Sequence, residues 1–208
     1  MVSRGLIIKK PKSVNNGFKF MLWVMYLIYR YHYPVMFLEV FLFFIVGFLS
    51  NKFTFFIGGV IAMQIFYFSI AFHEACHMSF AKLFNVNTES ISYKPYTVAG
   101  IRTNFSTERT IAADDLFAII FAGPFIPIFL TMLVMIVCLS LKLSIDAGIF
   151  VFGGMFMYIN IISLLPYKGT DGQRVYAYIK NKPSYIKTLF FSMGFYFYMR
   201  SGLKKLFK

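Results

Sequence analysis

An uncharged apolar run, residues 53–72, is the feature that most constrains how this chain can fold. A helix that crosses a membrane needs about 20 mostly apolar residues, and the run has that length. Segments 35–50, 116–141 and 147–165 have the same character, apart from Glu39 in the first of them. Of the 208 residues, 59% are hydrophobic, whereas soluble domains have about 45–50%. The sequence therefore predicts an integral, multi-pass membrane protein.

The remaining segments complete an all-α polytopic fold with about four transmembrane helices. Residues 18–33 are aromatic but contain Lys19, Arg30 and His32, which favours an interfacial helix. Residues 86–110 mix β-formers with polar residues and predict a short membrane-associated β-hairpin. Residues 185–198 are expected to be interfacial or a fifth span. We expect one domain over 1–208: a basic N-terminal part (1–34), a three-helix core (53–172) and a basic, aromatic C-terminal part (173–208).

The basic residues indicate how the chain is oriented. The net charge is +13, and the Lys and Arg residues flank apolar segments without forming a nucleic-acid reading motif. With four spans, the N-terminus and the segment after residue 166 share one side, and the opposite turns hold only Lys52 and Lys142 as cations. The positive-inside rule places the basic side in the cytoplasm. We expect a bacterial cell-membrane protein with its N-terminus and site opening in the cytoplasm, and no nucleic-acid partner.

The sequence His73-Glu74-Ala75-Cys76-His77 follows the apolar run directly. Two histidines four apart lie on one face of a helix and can bind one zinc ion. The glutamate beside the first histidine can then accept a proton from water at the metal. We expect this helix to continue through the motif to about residue 84.

The third metal ligand must be sought among the carboxylates, because the chain has only three histidines and His32 is far upstream. Two membrane crossings separate His77 from Asp171, so Asp171 returns to the side of the histidines. Pro166 ends the preceding helix. Two histidines and one carboxylate with an open fourth position form a catalytic zinc arrangement. Asp171 taken alone would more often be a solvated turn residue; the remaining candidates are Glu108, Asp114 and Asp115.

These motifs together resemble the site-2 protease family of intramembrane zinc metalloproteases. The family pairs H-E-x-x-H with a later N-x-x-P-x-x-x-x-D-G-like motif, and here Pro166, Asp171 and Gly172 stand at the matching offsets. Ala122-Gly123-Pro124 resembles the family's A-G-P element. The resemblance covers about residues 53–172. It implies an endopeptidase for membrane-associated or small peptides, with one Zn²⁺ per chain on His73, His77 and Asp171.

Two positions depart from the family pattern. Ser163 stands where the family has an asparagine before the proline, and Asn160 lies one helical turn earlier. Asn160 and Ser163 are therefore the candidates for substrate or transition-state positioning, with Glu74 as the catalytic base. Pro127 replaces a second family asparagine. These departures motivate the alternative of a proteolytically weak or inactive relative that takes part in peptide maturation or export.

Overall fold

The computed structural model describes residues 6–94, 101–105, 111–141, 147–167 and 169–181. The elements, in chain order, are strand β1 (Leu6–Lys9), helices α1 (Gly17–Leu49) and α2 (Phe53–Leu83), strands β2 (Thr88–Tyr93) and β3 (Ile101–Phe105), and helices α3 (Ala113–Ser140), α4 (Ala147–Leu164) and α5 (Asp171–Asn181). Helix α2 contacts α1, α3, α4, β2 and β3, which makes it the central element. The predicted segment 185–198 and Glu108 lie outside the described residues.

Helices α1, α2 and α3 are each long and apolar enough to cross a membrane. Their lengths are 33, 31 and 28 residues, more than the roughly 20 that a crossing requires. Large side chains such as Phe37 and Phe48 are exposed on α1, as expected for a surface in contact with lipid. These helices support the predicted membrane protein. Helix α4, which has 18 residues, forms where the fourth span was predicted.

Helix α1 is continuous, so the predicted separation of an interfacial helix (18–33) from a span (35–50) is wrong. The helix begins after Asn16, whose side chain accepts a hydrogen bond from the Lys19 amide. It then runs through Pro34, which a membrane helix tolerates where neighbouring groups satisfy the freed backbone. The polar residues that suggested a break have partners of their own. His32 Nδ1 lies 2.9 Å from the Tyr93 hydroxyl on β2.

A three-stranded antiparallel sheet, with the order β1-β2-β3, packs beside the helices. The predicted hairpin corresponds to β2 and β3, whose pairing is irregular between Thr88 and Ser90. Strand β1 lies in the basic N-terminal part, where no strand was predicted. Four residues, Leu6–Lys9, are too few to show a strand pattern. They form a strand because the edge of β2 offers unpaired backbone groups, and Leu6 pairs with Tyr93 there.

Helix α5 begins at Asp171 and was not predicted as a helix. Helix α4 ends at Leu164, before Pro166, and the short connection is held by Thr170, whose hydroxyl donates to the Leu165 carbonyl at 2.6 Å. Val175 of α5 then packs in a cluster with Phe117 and Ile120 of α3. Asp171 is therefore the first residue of a helix that is fixed against α3.

Candidate metal centre

Three ligand atoms from two helices meet at one point. His73 and His77 are buried on the same face of α2, and their Nε2 atoms are 3.0 Å apart. The Oδ2 atom of Asp171 lies 2.9 Å from His73 Nε2 and 3.2 Å from His77 Nε2. The structure therefore brings together the three residues that the sequence indicated as metal ligands.

The other ring nitrogen of each histidine faces an acceptor. His73 Nδ1 donates to Asn160 Oδ1 at 2.9 Å, and His77 Nδ1 donates to the Ile119 carbonyl of α3 at 2.7 Å. The orientation of the Asn160 amide is fixed because its Nδ2 donates to the Phe156 carbonyl, which can only accept. With the proton on Nδ1, a neutral imidazole carries its lone pair on Nε2. This is the usual second interaction of a metal-binding histidine.

Two imidazole lone pairs and a carboxylate oxygen at these distances repel one another unless a cation lies among them. Burial alone raises the pKa of the Asp171 carboxyl, but positive charge on the imidazoles of His77 and His73 and hydrogen bonds from them lower it to well below its usual range. A proton on Nε2 is therefore one cation that can lie among these atoms, and a bound metal ion would take its place. Within the described residues, this is the only group of three or more His, Cys, Asp or Glu residues that could hold a metal ion. Neither Cys76 nor the alternative ligands Asp114 and Asp115 belong to it.

Two glycines allow the helices to approach the centre closely. A Cβ atom at Gly123 of α3 would lie 2.2 Å from Cε1 and 2.3 Å from Nε2 of His77. A Cβ atom at Gly172 would lie 2.0 Å from the carbonyl oxygen of Leu164 in α4. A side chain at position 123 would therefore displace the ring of His77. A side chain at position 172 would push α5, which carries Asp171, away from α4. This gives a physical reason for glycine in the Ala122-Gly123-Pro124 and Asp171-Gly172 motifs.

Glu74 is buried next to His73 in the chain, and its carboxylate is bound by β3. The backbone amide of Thr103 donates to Glu74 Oε2 at 2.9 Å, and the Thr103 hydroxyl donates to the same oxygen. Because both bonds fall on Oε2, the carboxylate is held in one orientation relative to the sheet. Thr103 thus positions the predicted catalytic base.

Asn160 and Ser163 of α4 both lie at the centre, in different roles. Asn160 is 0% exposed, and its amide hydrogens go to the Phe156 carbonyl and, at 3.2 Å, to Ser69 Oγ. These contacts support a role in orienting His73, since no amide hydrogen is left for a substrate oxygen. Ser163 is half-buried and donates to Asp171 Oδ2 at 3.2 Å. Its predicted role in substrate positioning stays a prediction.

A cavity of about 170 Å³ opens onto the three ligands and Glu74. Much of its wall is apolar, and it extends from α2 to β3 and α4. Its charged lining residues are Glu74, Asp171, Arg102 and Arg174. The cavity therefore offers space for an apolar segment of another molecule beside the centre.

Sequence reasoning missed several contributors to this site. The Ile119 carbonyl is a backbone group and leaves no sequence signal. Ser69 stands one helical turn before His73 in an otherwise apolar run, a signal that could have been noticed. Arg174 is likewise one turn after Asp171. Thr103 could not be found in this way, because its contact with Glu74 depends on how the sheet packs against α2.

Comparisons of the chain with protein-family models, with curated proteins and with solved structures find no match. An assignment of function therefore depends on the geometry of this centre and on the sequence motifs.

Proposed function

We propose that the chain is a zinc-dependent intramembrane endopeptidase of the site-2 protease type, a multi-pass protein acting on membrane-associated or small peptides. The observation that carries the proposal is the convergence of His73, His77 and Asp171 at one point beside a cavity. Asp171 is far from the histidines in sequence and comes from a different helix. A structural turn residue would have no reason to reach both imidazoles.

The donor set fits zinc. Zinc prefers imidazole nitrogen and carboxylate oxygen in tetrahedral sites, with three protein ligands in catalytic centres. Bonds of about 2.0–2.1 Å at tetrahedral angles put the ligand atoms about 3.3 Å apart. The three observed separations, 2.9, 3.0 and 3.2 Å, are close to that value. His73, His77 and Asp171 would hold the ion.

The other roles in peptide hydrolysis are assigned to residues of this chain. Bound zinc would supply a Lewis acid that polarises a peptide carbonyl and lowers the pKa of water. Glu74 accepts a proton from water and delivers it to the leaving amine. Thr103 holds Oε2 of Glu74, so Oε1 is the oxygen that we assign to proton transfer. Ser163 orients the Asp171 carboxylate.

Strand β3 is the element that we assign to peptide binding. It pairs with β2 on one side, and its Thr103 amide points away from β2 toward Glu74. Ile101, Thr103 and Phe105 line the cavity. An extended peptide laid along this edge can use the outward main-chain groups of β3 other than the Thr103 amide, which already donates to Glu74, and apolar side chains can enter the cavity.

Zinc analysis combined with a cleavage assay tests this proposal. The purified protein should carry about one zinc ion per chain, and removal of both imidazoles in a His73→Ala, His77→Ala variant should abolish it, because one ligand cannot hold the ion. Glu74→Gln should keep the zinc and lose at least about a hundredfold in the cleavage of a reconstituted membrane peptide. Full zinc retention by the double variant, or near-normal cleavage by Glu74→Gln, would contradict the assignment.

A second candidate is a relative that binds zinc but cleaves peptides weakly or not at all. Ser163 and Pro127 at family asparagine positions favour it, and so does the Asn160 amide, both of whose hydrogens are engaged within the protein. This candidate predicts a zinc-loaded protein that leaves reconstituted peptides intact. The same assay therefore separates the two functions.

A further inference from the structure

Two arginines from different elements line the cavity. Arg102 precedes Thr103 in β3, and Arg174 follows Asp171 by one turn of α5. Each is thus adjacent to a residue that contacts the centre. Neither arginine belongs to the metal-ligand or proton-transfer roles described above.

The backbones that carry these arginines are fixed. Arg102 Nη2 donates to the Gly169 carbonyl at 2.7 Å, which ties β3 to the connection before α5. Helix α5 is held on α3 through Val175. Arg174 is half-buried, and its guanidinium has no hydrogen-bond partner among the residues that the structure describes. Burial lowers the pKa of Arg174 and the charge of Arg102 lowers it further, whereas the charges of Asp171 and Glu74 raise it, so Arg174 lies within electrostatic reach of Arg102 and of both carboxylates.

Once a metal ion is bound, the carboxylates of the cavity no longer need both arginines to neutralise their charge. Two carboxylates, Glu74 and Asp171, balance two guanidinium groups. A zinc ion held as proposed above leaves the cavity with two net positive charges, and arginine remains protonated when partly buried. The ion pairs of Asp171 found among the described residues are with His73 and His77, not with an arginine. With zinc bound, the cavity would therefore carry a net positive charge and have space for another molecule.

We propose that Arg102 and Arg174 form an anion subsite that binds a carboxylate of the peptide substrate next to the scissile bond. The proposal rests on the function proposed above and deepens it by naming the substrate class: an apolar peptide with an acidic group close to the cleaved position. A guanidinium group matches a carboxylate with two parallel hydrogen bonds. The apolar wall, including Phe66 and Ile70, accepts the neighbouring side chain.

Binding of matched peptides tests the subsite without depending on turnover. The full-length, zinc-loaded protein carrying Glu74→Gln is titrated with three fluorescent peptides: dansyl-Leu-Leu-Glu-Leu amide, its Gln-containing equivalent, and the Gln-containing peptide with a free C-terminal carboxylate. Charge-assisted hydrogen bonds should make at least one acidic peptide bind about tenfold to a hundredfold more tightly than the neutral amide. The preferred peptide shows whether a side-chain or a C-terminal carboxylate is bound.

Variants of the arginines should remove this preference. Arg174→Gln is expected to reduce the affinity ratio to within about threefold, whereas Lys180→Gln, an exposed residue of the same helix, should leave it unchanged. Arg174→Glu should instead favour the peptide with Lys in place of Glu. Zinc content checks that each variant is folded. Equal binding of acidic and neutral peptides by the parent protein, or an unchanged ratio in zinc-loaded Arg174→Gln, would overturn the subsite.

Failure of the subsite and failure of the proposed function give different results. With Glu74 intact, a protein that binds zinc and cleaves acidic and neutral peptides equally would keep the proposed function and lose the subsite. A protein that neither binds zinc nor cleaves any peptide, yet still prefers acidic peptides through Arg174, would lose the proposed function and keep the subsite.

Discussion

At the scale of single residues, Asp171 is the proposed ligand on which the three-helix arrangement depends. Its oxygen reaches both imidazoles from the start of α5. Asp171→Ala should weaken zinc binding and lower cleavage about a hundredfold or more, because two protein ligands bind zinc far less well than three. Expression and membrane insertion should stay near normal, since the residue lies outside the apolar helices. Zinc content, cleavage and expression level are measured together.

The matched substitution is Asp171→His, which replaces one zinc ligand by another and should keep some metal. A wild-type zinc content and cleavage rate in Asp171→Ala would show that the third ligand is elsewhere. Asp114 or Asp115 would then become the candidates, and the resemblance to site-2 proteases would have no structural basis.

The sequence predicted the ligand residues better than it predicted their partners. The pairing of His73 with His77 follows from helical spacing. Asp171 was placed on the side of the histidines by counting membrane crossings, and the resemblance to the site-2 protease motifs singled it out. Asn160 was found, but as a substrate-positioning candidate, whereas its contacts favour orientation of His73. Its role could not be read from the sequence, because the amide's two donors are assigned only once Ser69 and Phe156 are placed beside it.

At the scale of elements, the packing of α3 on α2 requires a residue without a side chain at position 123. Gly123→Ala would put a methyl group 2.2 Å from the His77 ring, closer than real contacts allow. The ring or α3 must then move, and because ligand geometry must be held within about 0.5 Å, zinc occupancy and cleavage should both fall at least tenfold. Zinc analysis of the purified protein measures the loss.

Gly58→Ala in α2 is the control, because its added methyl group meets nothing within 4 Å. It should keep the zinc content and the activity of the parent protein. If Gly123→Ala also keeps both, then His77 does not pack against α3 at the distance that the structure gives.

Element prediction failed where tertiary contacts override a local signal. Lys19, Arg30 and His32 favoured a separate interfacial helix, but α1 is continuous, and His32 has a partner in Tyr93 of β2. Strand β1 exists only as an added edge of β2. The apolar face of α5 is buried against α3, where Val175 packs with Phe117 and Ile120. The apolar helices α2 and α3 needed no such context, which is why their predicted positions are close to the observed ones.

At the scale of the whole molecule, the centre lies toward one end of the helical bundle. Lys82 at the end of α2 donates to the Asn15 carbonyl before α1, so these two points share an end. Tyr178 of α5 packs on Phe117 near the start of α3 at the same end. With a rise of 1.5 Å per residue, residues 53–72 span about 30 Å, the thickness of the hydrocarbon layer. If this run crosses the hydrocarbon layer as proposed, His73 falls near the boundary of that layer.

The final prediction concerns which end faces the cytoplasm. Lys180 lies at the end that carries the sheet and α5, and Lys52 lies in the turn at the opposite end. Because cations collect in cytoplasmic segments, a membrane-impermeant maleimide should label Lys94→Cys and Lys180→Cys in inverted vesicles. It should label Lys52→Cys and Lys142→Cys in intact cells. A background with Cys138→Ala removes the half-exposed native thiol. Labelling of Lys180→Cys in intact cells would invert the orientation and place the centre and its arginines on the outer side of the membrane.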